Sequence, residues 1–277
     1  MAIITTKSAM RALCGTWRAA GNSIALVQIA GAPHRGHAAL FARARAEARR
    51  VVVALVPATP ADTAMPTPDT PSDPVEHLRE AGIDAVFRPE PGDWPLPQGQ
   101  TVVDTPDLTR VLIGKLRPGH YRAMATQTAR LFNIVQPDTA CFGDKDYQLL
   151  CVIRQMARDL DSPVRITGTA TVRDPDGLAV SRRNRLLTPA DRAAARIVPD
   201  TLAQAQDMAR TGITPSRLRA WVAARLQTEP RADPLLADIR DADTLASLPG
   251  PLTGPAVILL AVRFGRVLLI DQRVVTP

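Results

Sequence analysis

The first half of the chain alternates short apolar runs with helical patterns, and that alternation limits the folds open to it. Strands are expected over Ile24–Ile29, Val51–Val56, Ala85–Phe87, Thr101–Val103, Thr139–Phe142 and Val164–Thr169. These runs are short and rich in β-branched residues, as strands buried on both faces tend to be. Between several of them lie helical stretches. Ala38–Arg49 is rich in Ala and Arg. His120–Val135 sets Tyr121, Met124, Leu131, Phe132 and Val135 near one face, and Lys145–Leu160 carries Leu149, Ile153, Met156 and Leu160 at helical spacing. Strand–helix alternation of this kind predicts an α/β fold built on a doubly wound parallel sheet.

The second half is patterned differently. Asp174-Pro175-Asp176-Gly177 is a turn signal and a candidate hinge. Thr188 is placed to cap a helix with Pro189 at its first position, and another helix begins near Pro215-Ser216. Ala256–Val262 and Val267–Ile270 flank Phe264-Gly265-Arg266, as two strands flank a hairpin turn. We therefore expect residues 1–171 to form the sheet domain and 172–277 a smaller α+β domain. Pro57–Pro74 holds six prolines among Ala, Thr, Asp and Ser, and reads as an extended or mobile loop.

Composition narrows the class. With 277 residues, 45% of them apolar, the chain has ample material for a core. No apolar run approaches the roughly 18 residues of a membrane span. The N-terminus lacks the charged-then-apolar order of a signal peptide. Cys14, Cys141 and Cys151 are an odd set without paired spacing, which argues against a disulfide framework or a zinc site. A reduced, cytoplasmic protein is expected. The net charge of +7 raises nucleic acid as a partner, but the basic residues are dispersed among acids and only 4% of residues are aromatic. A solvated surface with a local anion pocket accounts for the charge better.

The chemistry centres on His34-Arg35-Gly36-His37, set between a strand and a helix. A helix N-terminus offers free N–H groups and a partial positive charge, Gly36 allows close backbone approach, and two imidazoles can donate to phosphate oxygens as charge builds on a leaving group. Lys145, at the start of a second helix, is a mobile point charge suited to phosphate. Asp146 beside it is able to accept from ribose hydroxyls, and Ser181 and Arg183 can clamp a triphosphate from the other side. Singly, each stretch also has an ordinary reading: surface histidines, an acidic helix start, a solvated loop. Arg240-Asp241-Ala242-Asp243-Thr244-Leu245 is a further polar stretch near the C-terminus.

Taken in order, these stretches resemble the pantothenate synthetase (pantoate–β-alanine ligase) family from end to end. The residues that carry the resemblance are Arg117-Pro118-Gly119-His120-Tyr121, Arg130-Leu131-Phe132-Asn133-Ile134-Val135-Gln136-Pro137-Asp138, Phe142-Gly143-Asp144-Lys145-Asp146 and the final Leu269-Ile270-Asp271. The family reads Phe for Tyr121, Lys for Arg130 and Glu for Asp144. The resemblance implies a Rossmann-like ATP-binding domain with a smaller C-terminal lid, and it implies a reaction. A carboxylate attacks the α-phosphorus of MgATP, pyrophosphate leaves, and the acyl-adenylate reacts with an amine to give an amide and AMP. By resemblance His34 and His37 contact phosphates, with His37 near the reacting acyl phosphate. Lys145 binds phosphate, Asp146 binds ribose, Ser181 and Arg183 contact phosphates, and Gly36 and Gly143 approach the nucleotide. ATP, Mg2+, a carboxylic acid and an amine are the expected small-molecule partners, with a homodimer as the expected assembly and neither nucleic acid nor membrane.

The departures concentrate on the acid side. Where the family has Pro-Thr-Met-Gly, this chain has Gln28-Ile29-Ala30-Gly31, so Ala30 replaces a methionine. Ala61 stands at about the position of one pantoate-holding Gln, and Leu149 at the position of a second. The lid's Ser-Ser-Arg-Asn has become Ser181-Arg182-Arg183-Asn184. Each amide lost from such a pocket leaves a substrate group unpaired, at roughly 1–3 kcal/mol apiece. Three readings follow: a ligase with an altered acid, a divergent pantothenate synthetase whose acid pocket is completed by other residues, or a nucleotide-binding homologue without ligase activity.

Overall fold

The computed structural model describes residues 1–56, 74–90, 94 and 100–277. Ala61 and nearly all of the proline-rich loop lie outside these residues; Pro74 opens the short helix Pro74–Glu80. Six strands form a parallel sheet in the order β1-β4-β3-β2-β5-β6. They are β1 (Ala2–Ile4), β2 (Ile24–Ile29), β3 (Arg50–Leu55), β4 (Ala85–Phe87), β5 (Thr139–Gly143) and β6 (Arg165–Thr169). One face carries the helices Lys7–Ala19, His120–Val135 and Tyr147–Asp159, in one core with Ile24 and Leu26. The other face carries Arg35–Glu47 and Pro74–Glu80, packed on Ala25, Val27 and Ile29. Alternate residues of β2 therefore feed two cores, which is why its sequence reads as an almost unbroken apolar run.

The sheet edge differs from the sequence expectation. Thr101–Val103 is not a strand; the Val103 N–H donates instead to Thr126 Oγ1 at 2.9 Å. The edge is taken by β1, in register with β4 from Ala2↔Ala85 to Ile4↔Phe87.

The C-terminal part carries an antiparallel sheet in the order β7-β8-β9. Its strands are β7 (Ala232–Asp241), β8 (Ala256–Phe264) and β9 (Val267–Val275). Thr188 caps its helix through the Asp191 N–H with Pro189 at the first turn, and Thr214-Pro215 repeats the device. Strand β8 is buried on both faces. Val257, Leu259 and Ala261 join the core beneath the parallel sheet, while Ile258, Leu260 and Val262 join Leu202, Leu218 and Val222 in a second core. Among the described residues no helix is long and apolar enough to cross a membrane.

Candidate active site

The chain runs from β2 to β3 on one side and returns at β5 on the other, so the C-terminal ends of β2 and β5 flank a point where strand order reverses. Parallel sheets bind ligands in such crevices. The His34–His37 turn follows β2, and Lys145-Asp146 follows β5.

His34 is the N-cap of the helix Arg35–Glu47. Its Nδ1 accepts from the Gly36 N–H at 3.1 Å, and His37 Nδ1 accepts from the His34 N–H at 3.2 Å. The two histidines thus close a reciprocal capping box, and their rings stack with centroids 3.8 Å apart. A nitrogen that accepts an N–H carries no proton, so each neutral ring holds its hydrogen on Nε2. The motif presents two Nε2–H donors of fixed tautomer. Gly36 has a second use beyond close approach to a ligand: a Cβ there would lie 2.9 Å from His34 Cε1.

The pair is kept neutral. Burial, then the charges of Lys145 and Arg182, lower His34 to about 4. Burial, then His34, Arg182 and Lys145, lower His37 to about 3. These are neutral imidazole donors at physiological pH rather than imidazolium cations.

Lys145 lies in the one-turn 3-10 helix Asp144–Asp146, and its Nζ reaches the Val180 carbonyl at 3.4 Å. Burial, then Arg183, lower its ammonium to about 8, against the opposing pull of Asp271 and Asp146. Asp146 caps the next helix through the Leu149 N–H at 3.2 Å and accepts from the Tyr121 hydroxyl at 2.9 Å, both on Oδ1. Gly143 closes β5, and a Cβ on it would meet nothing within 4 Å. Space rather than protein lies beside it.

Residues 180–183 form the facing wall. Ser181 accepts from the Arg183 N–H at 3.3 Å and caps the 3-10 helix Arg182–Leu186. The Arg182 guanidinium reaches the Gly31 turn, where a Cβ would run into it. Below this wall Asp174 pairs with Arg35, inside the histidine motif, and with Arg192 at 2.9 Å, tying the Asp174–Gly177 turn to the site. The structure thus brings the sequence-marked residues together: Lys145 and Arg182 act electrostatically on both histidines, Arg183 acts on Lys145, and Lys145 reaches the Val180 carbonyl next to Ser181.

On the acid side, Ala30 follows β2 and is half-buried. Leu149 is half-buried against the core. Its neighbour Gln148 is fully buried and committed, accepting from the Ile113 N–H and donating to the Leu108 and Val111 carbonyls. A one-residue slip therefore does not restore a substrate-facing amide there. Arg240–Leu245 belongs elsewhere: Asp241 Oδ1 accepts from the Asp243 and Thr244 N–H groups, and the Ala242 carbonyl accepts from Tyr147. The sequence places Tyr121 only on a helix face; its hydroxyl, absent from the family's Phe, is the signal that it holds Asp146.

Comparisons agree over the whole chain. A family profile described as pantoate-beta-alanine ligase matches residues 2–274. A pantothenate synthetase of Allorhizobium ampelinum is 43% identical, covering 100% of this chain and 97% of its own. One from Agrobacterium fabrum is 40% identical, covering 99% and 96%. The crystal structure of pantothenate synthetase from Thermus thermophilus superimposes with a TM-score of 0.88 at 33% identity, covering 100% of both chains. A pantoate-beta-alanine ligase from Francisella tularensis, crystallised with beta-gamma ATP and β-alanine, gives 0.77 at 25% identity, covering 99% of this chain and 97% of its own.

Proposed function

This chain belongs to the pantoate–β-alanine ligase family, and from that premise we propose that it is an ATP-dependent, AMP-forming ligase joining a carboxylic acid to an amine, with a rebuilt acid pocket. The observation that carries this reading is the stacked pair of Nε2–H donors facing Lys145 and residues 180–183 across the switch point of the sheet.

In the proposed reaction a carboxylate oxygen attacks the α-phosphorus of MgATP and the bond to the bridging oxygen of pyrophosphate breaks. His34 and His37 donate to phosphate oxygens as charge accumulates, with His37 beside the reacting acyl phosphate. Lys145, Ser181 and Arg183 hold the phosphates, and the Gly36 backbone approaches them. Asp146 takes the ribose hydroxyls and Gly143 lies against the nucleoside. The amine then attacks the acyl carbon, AMP leaves, and the amine's proton is released. The protein's part is positioning and charge stabilisation. Magnesium enters, as the family resemblance implies, as the ion carried by the triphosphate. We place the boundary between the two units after residue 171 and the assembly as a cytoplasmic homodimer.

The relatives' names and the β-alanine of the Francisella complex support pantoate and β-alanine as the first substrates to try. Leu149 and the committed Gln148 support an altered set of acid contacts. ATP–pyrophosphate exchange over a panel of carboxylic acids that includes pantoate tests the reading, with amide formation from β-alanine as the second step. Exchange with at least one acid is expected. Measurable ATP binding without exchange for any acid would identify a non-catalytic nucleotide-binding protein instead.

A further inference from the structure

Gln28 is the one polar residue of β2, half-buried between neighbours that are fully buried. It lies on the sheet face that carries Ile24, Leu26 and the Leu149 helix, two residues before Ala30. Its side chain is held at both ends. Nε2 donates to Gln127 Oε1 at 3.2 Å, and Oε1 lies 2.8 Å from Thr128 Oγ1, whose one hydroxyl proton it shares with the Met124 carbonyl, also at 2.8 Å. Gln127 and Thr128 are both fully buried on the helix His120–Val135. An amide engaged once at each atom retains one N–H, whichever way round it is turned. A polar cluster costs desolvation that an aliphatic residue in the same slot avoids. Its place at the ligand end of the sheet gives that cost a use.

The family pattern has amides at the positions of Ala61 and Leu149 and Pro at the position of Gln28. This chain has Leu149 at one of the amide positions and an amide, Gln28, at the proline position. We propose that Gln28, oriented by Gln127 and Thr128, is the residue that recognises the acid in place of the two missing glutamines; this rests on the ligase reading above. The available N–H is a donor, so the group it meets on the acid is an acceptor oxygen. The reacting carboxylate must sit by the α-phosphorus near His37, beyond the Gly31 turn. Gln28 therefore meets an oxygen further along the acid. The substrate class this selects is a hydroxy acid.

The test is pyrophosphate exchange by the full-length enzyme with pantoate and its two mono-deoxy counterparts, run on wild type, Gln28→Leu and the nearly isosteric Gln28→Met. Wild type is expected to discriminate at least about tenfold in kcat/KM against one deoxy acid, as a site built around a hydroxyl does. In both variants that preference should fall to within about twofold, with KM for pantoate raised about tenfold and KM for ATP unchanged, the loss of one buried hydrogen bond. A merely structural role would lower stability or raise all KM values together and leave the preference intact. That result in the two variants overturns the proposal. Wild-type exchange only with acids lacking hydroxyls also overturns it while the ligase reading stands, and no exchange with any acid overturns both.

Discussion

Gly36→Ala should separate stability from chemistry. The added methyl would lie 2.9 Å from His34 Cε1 and 3.0 Å from Nδ1. To reach ordinary carbon contact the ring must retreat by about 0.5 Å. That stretches the 3.1 Å bond from the Gly36 N–H to His34 Nδ1, a helix cap worth about 1 kcal/mol. Alanine returns about 0.5–1 kcal/mol through its better helix propensity. The two nearly cancel, so the melting temperature should move by no more than about 3 °C for a chain of this size. The chemistry has no such compensation. His34 stacks on His37 at 3.8 Å, so a tilt of one ring displaces both Nε2–H donors. A misplacement of about 1 Å can cost about a hundredfold in rate, so a loss of about tenfold or more in kcat for pyrophosphate exchange is expected here. Thermal melting and exchange kinetics on the same preparation check this. Exchange within about twofold of wild type would refute the argument that His34 is seated by the missing Cβ.

The remaining predictions concern charge. Lys145, lowered to about 8, keeps its proton below that pH and loses it above, so kcat/KM for ATP should decline as pH rises through about 8. Lys145→Arg should remove that limb, and an unchanged alkaline profile would sink the assignment. His34 and His37, lowered to about 4 and about 3, resist protonation that the unfolded chain accepts near 6.5. The unfolded state then binds more protons, and each histidine should cost up to about 1.4 kcal/mol of stability per pH unit as pH falls from about 6.5 towards 4. Denaturant unfolding at successive pH values should show a shallower slope for His37→Gln; equal slopes would contradict it. Arg182→Ser removes a charge that depresses both rings, so proton NMR of the imidazole Cε1–H signals should show both titrating at higher pH than in wild type. Unshifted titrations would place the guanidinium elsewhere.

Much of the fold is legible because its central elements are locally consistent. Strands β2 and β4 and the helix His120–Val135 coincide with the runs read from sequence, where period and burial agree. The edges are not legible in that way. β1 is three residues long and gains its identity only by pairing with β4. β7 contains Pro234 and a register shift between Pro234 and Leu236, which a strand pattern would reject but an edge strand tolerates. In the site, the phosphate-side residues are marked by motif and brought together by the switch point. Arg182 is visible only as a departure, because its effect depends on how far it reaches across to Gly31. Gln28 is a single polar letter in an apolar run, and its partners lie about a hundred residues away on another element.

Strand β8 has a consequence for motion. Its side chains enter two cores in alternation, so swinging the antiparallel sheet away from the parallel one would strip water-free packing from Val257, Leu259 and Ala261 together with Leu245 and Ile270. At about 1.5–3 kcal/mol for each large aliphatic group uncovered, a rigid-body swing of that kind is a costly way to admit a substrate. Residues 170–186 are held in turn by Arg173 on the buried carboxylate of Asp271 and by Leu178 in the second core, so the weakly moored part is Ser181–Arg183, whose side chains are only half-buried. The packing thus leaves least to break at Ser181–Arg183, with the sheet behind them held still.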